Sequence, residues 1–200
     1  MKEKIIRETK EMFFRYGIKS ITMEDIAREL GISKKTLYQH FDNKNDLLMA
    51  VIDFHDCDQK SRLFEIRSAA TNAIDEMIRI AKYFDLMLKQ VSPSLIFDVQ
   101  KYHREAWDKM NKTHSEYVYK EISANLQRGI SEGLYREDFD TDIIAKIYVN
   151  TSYLGTRPEV FSPSDYKVQD ILRTNVLYHL HGIASAKGLL LLQQMKEELN

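Results

Sequence analysis

Residues 30–44 read "LGISKKTLYQHFDNK", a stretch that sets a glycine and a serine before a short, unusually polar helical pattern. On a helix turning about 100° per residue, Leu37 and Phe41 fall together, while Lys35, Thr36, Gln39 and His40 fill the opposite arc. Lys34 and Tyr38 lie on the flank. The apolar side is wide enough to dock such a helix on its neighbours and leaves most of its surface to long, hydrogen-bonding side chains.

The flanking sequence frames this helix. Residues 3–16 place Ile5, Thr9, Met12, Phe13 and Tyr16 on one face, and Gly17 stands where a helix commonly stops. Thr22 with Asp25 predicts a capped second helix carrying Ile26, Ala27 and Leu30, ended by Gly31. Ser33 predicts the cap of a third helix reaching about His40. Asn43 with Asp46 predicts the cap of a longer fourth helix that turns Leu47, Leu48, Val51 and Ile52 inward. Two short capped helices joined by "GIS" must cross steeply, which is the helix-turn-helix pattern.

A second helix of that kind projects Lys35, Thr36, Gln39 and His40 toward a major groove, where lysine donates to guanine acceptors and glutamine pairs with adenine. Thr22, Tyr38 and Lys44 sit at helix starts or on the flank, positions suited to phosphate oxygens. A solvated polar face on a helical bundle is the competing explanation. It accounts for any single helix here, but not for the ordered series of caps and glycine turn.

The bulk properties agree with an all-α chain. Its 200 residues include 7 Gly and 3 Pro, and apolar residues recur at helical spacing nearly everywhere. A hydrophobic content of 44% supports a buried core and at most two small compact units. The longest apolar run is the leucines at 189–192, and the N-terminus is charged, so neither a membrane span nor a signal peptide is expected and the expected address is the cytoplasm. The single cysteine, Cys57, excludes an internal disulfide and a cysteine-only metal site. Net charge is −1 overall, yet residues 1–50 carry 10 Lys and Arg against 8 Asp and Glu, a net of plus two. Any DNA contact must come from placement of charge rather than its total.

Past residue 65, helices are expected near 70–90, 94–110, 113–132, 141–154 and 166–196, broken at Pro93, Gly133 and the "GTRPEVFSPSD" stretch of 155–165. Phe139, Asp140 and Ile144 fit a hydrophobic staple around an N-cap. The last helix carries Val168, Leu172, Val176, Leu180 and Ile183 on one stripe. The small residues Gly182, Ala184, Ser185, Ala186 and Gly188 would admit a close backbone, either of the same chain or of a second copy. Enzyme signatures are missing: no glycine-rich phosphate loop, no His-Glu-x-x-His and no Glu-x-x-His pairs, and the two histidines of "HLH" at 179–181 point to different helix faces. No cofactor or metal is expected.

The run "FFRYGIKSITMEDIARELGISKKTLYQHFDNKNDLL" resembles the N-terminal DNA-binding domain of the TetR/AcrR family of bacterial transcriptional regulators. An aromatic residue then glycine, a threonine before the second helix, "IA", "GIS", "TLY", "HF" and a following lysine occur in the family's order over roughly residues 5–50. The resemblance implies a three-helix DNA-binding domain, residues 1–46, and a helical effector-binding and dimerisation domain, residues 47–200. It implies base or backbone contacts from Lys34, Lys35, Thr36, Gln39 and His40, and phosphate contacts from Thr22, Tyr38 and Lys44. Many members carry a small residue at the position of Lys35 and a tyrosine at that of His40, so this sequence departs from its relatives there. The resemblance further implies a homodimer paired through 141–154 and 166–196, a double-stranded operator, and a small-molecule effector, with Tyr102, His103, Trp107 and Tyr117 as pocket candidates. Repression is the expected outcome. The alternative is the same fold used for protein–protein contacts without DNA.

Overall fold

The computed structural model describes residues 1–157, 159–162 and 164–195, with the side chains of Pro93 and Thr156 set aside. Pro158 and Pro163 of the expected break, and residue 196 at the end of the last expected helix, lie outside the described residues. The fold is all-α and divides into two compact units, the first formed by residues 1–62 and 90–112, the second by 63–89 and 113 onward. The unit that holds the helix-turn-helix therefore extends beyond residues 1–46.

In the first unit, α1 (Lys2–Tyr16) buries Ile5, Thr9 and Phe13 and stops at Gly17, whose φ of 78° and N–H bond to the Phe13 carbonyl at 2.9 Å close the helix. The second helix, α2 (Met23–Glu29), starts at a full capping box between Thr22 and Asp25. Gly31, at φ 64°, turns the chain into α3 (Lys34–Tyr38), where the Ser33 hydroxyl accepts from Thr36 N–H at 3.0 Å. The α-helix ends at Tyr38 rather than His40, so Gln39 and His40 leave it through a turn. α4 (Lys44–Ala69) opens with Asp46 N–H donating to Asn43 at 2.9 Å. Leu37, Phe41, Ile26, Phe13 and Leu47 meet in one core. α6 (Pro93–Tyr102) and the start of α7 (Arg104–Ser131) add Val99 and Ala106 to that core.

The break between α6 and α7 falls at His103, which no proline or glycine marks. His103 takes φ −133° and ψ 60°, with its Nδ1 3.2 Å from Asn45 Oδ1, so a tertiary contact accompanies a break that local sequence does not announce.

The second unit is built on α5 (Ala73–Leu88), which Asn72 caps, together with α8 (Thr141–Ser152), capped by Asp140 as expected. Phe139 and Ile144 both pack on the unit's core. One continuous helix over 166–196 is not what forms. α9 (Val168–Ile183) ends, Ala184 turns extended at ψ 140°, and α10 (Ala186–Met195) begins with the Ser185 hydroxyl accepting from Gly188 N–H. The extended pair is held by Leu134 to Arg136: Ser185 N–H donates to the Leu134 carbonyl at 2.9 Å and Arg136 N–H to the Ile183 carbonyl at 2.8 Å. The close approach that the small residues permit is used here within the chain, since a Cβ on Gly188 would meet the Leu134 carbonyl oxygen at 2.1 Å.

Beneath α5 lies a polar network. Glu76 is 2% exposed and takes a bond from Arg128 at 2.9 Å; Arg128 also holds Glu132, which accepts from Ala73 N–H. Burial raises the Glu76 pKa against the pull of Asn125 and Arg128. Arg128→Met would leave that carboxylate buried without its cation, at a cost of about 3–5 kcal/mol, read as a lower urea midpoint. Among the described residues no helix is long and apolar enough to cross a membrane.

His179 on α9 lies edge-on to Tyr148, ring centroids 4.6 Å apart, and burial pushes its pKa down to about 4. Burial likewise pushes His55 on α4 to about 4, with Lys10 adding to the effect. The unfolded chain binds these protons near pH 6.5 and the folded chain does not, so this stability is whole above 6.5 and is lost as pH falls toward 4. Wild type should lose about 3 kcal/mol more than His179→Leu over that window, measured by urea unfolding at each pH.

Candidate nucleic-acid interface

The reading face is organised by what its side chains already bond. The Thr22 hydroxyl accepts from Asp25 N–H at 3.1 Å and donates to the Asp25 carboxylate at 2.6 Å, and this second bond, with another from Thr22 N–H, holds the Asp25 pKa below its usual value. Lys34 pairs with Glu24 at 2.6 Å, which raises the lysine's pKa. The Thr36 hydroxyl lies 2.8 Å from that of Ser33. Thr22 and Thr36 thus act first as local structure, and Lys34 enters any complex from an ion pair.

Lys35, Tyr38 and Gln39 are exposed and His40 is half-buried, while Leu37 is fully buried beneath them. Lys35 and Gln39 stand one helical turn apart, the spacing that puts both on one face. Their arrangement presents an ammonium, a carboxamide and, beside them, an imidazole and a phenol. These groups are chemically able to meet base edges and phosphate oxygens.

Lys44 has a different neighbour from the one its sequence position suggests. Its ammonium donates to the Ile18 carbonyl in the turn between α1 and α2, and burial lowers its pKa. An ammonium has three donors, so this bond leaves capacity for a phosphate.

Sequence reasoning missed Asp98. It is 6% exposed on α6 and accepts from the Lys19 backbone N–H at 2.9 Å, one residue beyond the carbonyl that Lys44 holds. A lone carboxylate in the apolar segment "LIFDV" was the available signal. Tyr102 and His103 join the same corner. The Tyr102 hydroxyl lies 3.4 Å from Lys19 Nζ, which also stands 4.9 Å from the tyrosine ring centre, and His103 meets Asn45.

The four pocket candidates are not gathered within one unit. Tyr102, His103 and Trp107 belong to the first, where Trp107 packs on its core, and Tyr117 belongs to the second.

Residues 5–51 match the tetR family of bacterial regulatory proteins. An uncharacterized HTH-type transcriptional regulator of Bacillus subtilis, YvaF, is 28% identical over 108 residues, 54% of this chain and 56% of its own length. The HTH-type transcriptional repressor KstR2 of Mycolicibacterium smegmatis is 23% identical over 166 residues, 78% of each chain. Among solved structures, a transcriptional regulator from Cytophaga hutchinsonii superposes with a TM-score of 0.71 at 21% identity, covering 92% of this chain and 98% of that one. The ketosteroid transcriptional regulator KstR2 of Mycobacterium tuberculosis superposes at 0.57 with 18% identity, covering 92% and 95%. At these identities the structures speak for the fold.

Asp98 acts on the candidate DNA contacts through the turn it holds and through its charge on Lys44. Asp98→Ala should weaken binding to DNA more than Asp98→Asn, which keeps an oxygen for Lys19 N–H, measured by titration of each variant against a duplex.

Proposed function

We propose that this chain, a member of the tetR family of bacterial regulatory proteins through residues 5–51, represses transcription in the cytoplasm by binding a palindromic operator as a homodimer that responds to a small molecule. DNA-binding regulation is the coarse activity of its relatives. The observation that carries the finer reading is the exposed face of α3, with Lys35, Tyr38 and Gln39 outward over a buried Leu37.

In this reading Lys35, Thr36, Gln39 and His40 address base edges, Thr22, Tyr38 and Lys44 address phosphates, and Lys34 serves either the backbone or a base. A single helix-turn-helix covers a short site, and two-fold pairing doubles the contacts. Support for pairing through the C-terminal helices comes from apolar side chains left outward there: Ile143 and Ile147 on α8 are 54% and 52% exposed, and Tyr178 on α9 is 80% exposed. Ligand response draws support from two buried groups of α9, Asn175 Nδ2 and His179 Nε2, which have no hydrogen-bond partner among the described residues. Buried polar groups of this kind call for a water or a ligand. Tyr117 lies in the same unit, whereas Tyr102, His103 and Trp107 would reach an effector only from the first.

Selection of bound duplexes from a random pool should return a palindrome whose half-sites lie about 34–36 Å apart or a multiple of that. Failure to enrich any sequence, or a monomer by sedimentation at micromolar concentration, would overturn the reading. Tyr38→Phe should weaken binding evenly across sequences, and Lys44→Ala should lower the salt slope by about 0.9, an unchanged slope leaving Lys44 as a prop for the Ile18 carbonyl alone.

A further inference from the structure

Glu24 is an acid on a surface assigned to a polyanion. It lies two residues beyond Thr22 and pairs with Lys34, the first residue of α3, so DNA-contact candidates flank it on both sides. Its neighbour Asp25 closes the capping box and has a structural reason to be acidic. Glu24 takes no part in the capping box, and its carboxylate pairs with Lys34 at 2.6 Å. Both side chains are open to solvent, at 64% and 54%. An exposed pair of this sort contributes little to folding, because ordering two long side chains offsets its attraction in water.

Its consequence lies in what it does to Lys34. A lysine adds to sequence-independent DNA affinity by displacing condensed counterions from phosphates, and it does so only as far as its charge is free to reach them. A carboxylate at ion-pair distance draws the ammonium toward the corner between α2 and α3 and offsets its charge there. We propose that Glu24 is a positioning residue for DNA binding: by holding Lys34 it keeps that lysine off arbitrary phosphates and brakes sequence-independent binding. The inference rests on the DNA-binding reading above.

The brake explains how a chain with a formal net charge of −1 arranges its reading head. Removing one lysine from the general attraction leaves affinity to depend more on the exposed Lys35 and Gln39 and the half-buried His40, whose contacts can carry sequence information.

The test is a titration of full-length protein against salt, on a random duplex and on the duplex that selection returns. Glu24→Gln keeps shape and solubility but removes the charge. Its salt slope should steepen by about 0.9, and its affinity for both duplexes should rise about eightfold at 0.1 M salt, one extra counterion's worth. Of the two roles open to Lys34, the proposal leaves it the base and not the backbone, so Lys34→Ala alone should leave the slope unchanged. Glu24→Gln added to Lys34→Ala should also leave it unchanged. An unaltered slope in Glu24→Gln overturns the proposal. So does a Lys34→Ala slope shallower by about 0.9, which would put Lys34 on phosphate in the wild type. A steepening that persists without Lys34 overturns it too, because the carboxylate would then act on the phosphates directly. A wild-type chain that binds neither duplex overturns both this proposal and the DNA reading, whereas wild-type binding with an unaltered Glu24→Gln slope overturns this proposal alone.

Discussion

A helix of five residues such as α3 does not persist in water by itself, because forming one helical turn orders more of the chain than its few hydrogen bonds repay. α3 exists through the burial of Leu37 within it and Phe41 just beyond it, which lock it to Ile26, Phe13 and Leu47. The same burial dictates which side chains face outward. With Leu37 fully inside, Lys35, Tyr38 and Gln39 have only the solvent side of a short cylinder left to them. Packing and recognition are therefore one constraint in this unit: a shift of Leu37 in its pocket would re-aim every candidate reading group together.

How far this was legible in sequence depends on whether a boundary is made locally. Thr22, Ser33, Asn43 and Asp140 all cap helices through bonds to residues two or three positions on, so the composition of a few adjacent residues suffices. The breaks at His103 and at Ala184 are made otherwise. His103 stands against Asn45, and Ala184 and Ser185 are held extended by Leu134 and Arg136, partners some fifty residues away in sequence. Helical periodicity runs straight through both places because their side chains suit a helix well enough. The candidate site divides in the same manner. The exposed face of α3 follows from periodicity, whereas Glu24 on Lys34, Lys44 on the Ile18 carbonyl and Asp98 on Lys19 N–H require knowing which turns come together.

Those last three contacts share a physical character. Each commits a charged group to a contact within the head, wholly or in part. Lys44 and Asp98, opposite in sign, grip the two ends of one peptide group, that between Ile18 and Lys19, the first at its carbonyl and the second at its N–H. Burial lowers the Lys44 pKa while Asp98 raises it, so the acid helps to keep the lysine charged where desolvation opposes it. Formal charge counts, which give residues 1–50 a net of plus two, overstate the cationic surface that a duplex meets first.

The aromatic segment 97–119 shows why composition alone does not define a pocket. Up to residue 112 it belongs to the first unit, and Tyr102 and His103 spend their polar atoms on Lys19 and Asn45 there. From residue 113 it belongs to the second unit, which also holds the unpartnered Asn175 and His179 groups. A molecule that displaced Tyr102 or His103 would loosen the turn after α1 and the first turn of α4 directly. A molecule bound at Asn175 and His179 would bond to neither, and its effect on the head would have to be carried by residues whose arrangement has two states. α4 and α7 each contribute residues to both units, and α4 begins with the very Lys44 and Asn45 that the head uses.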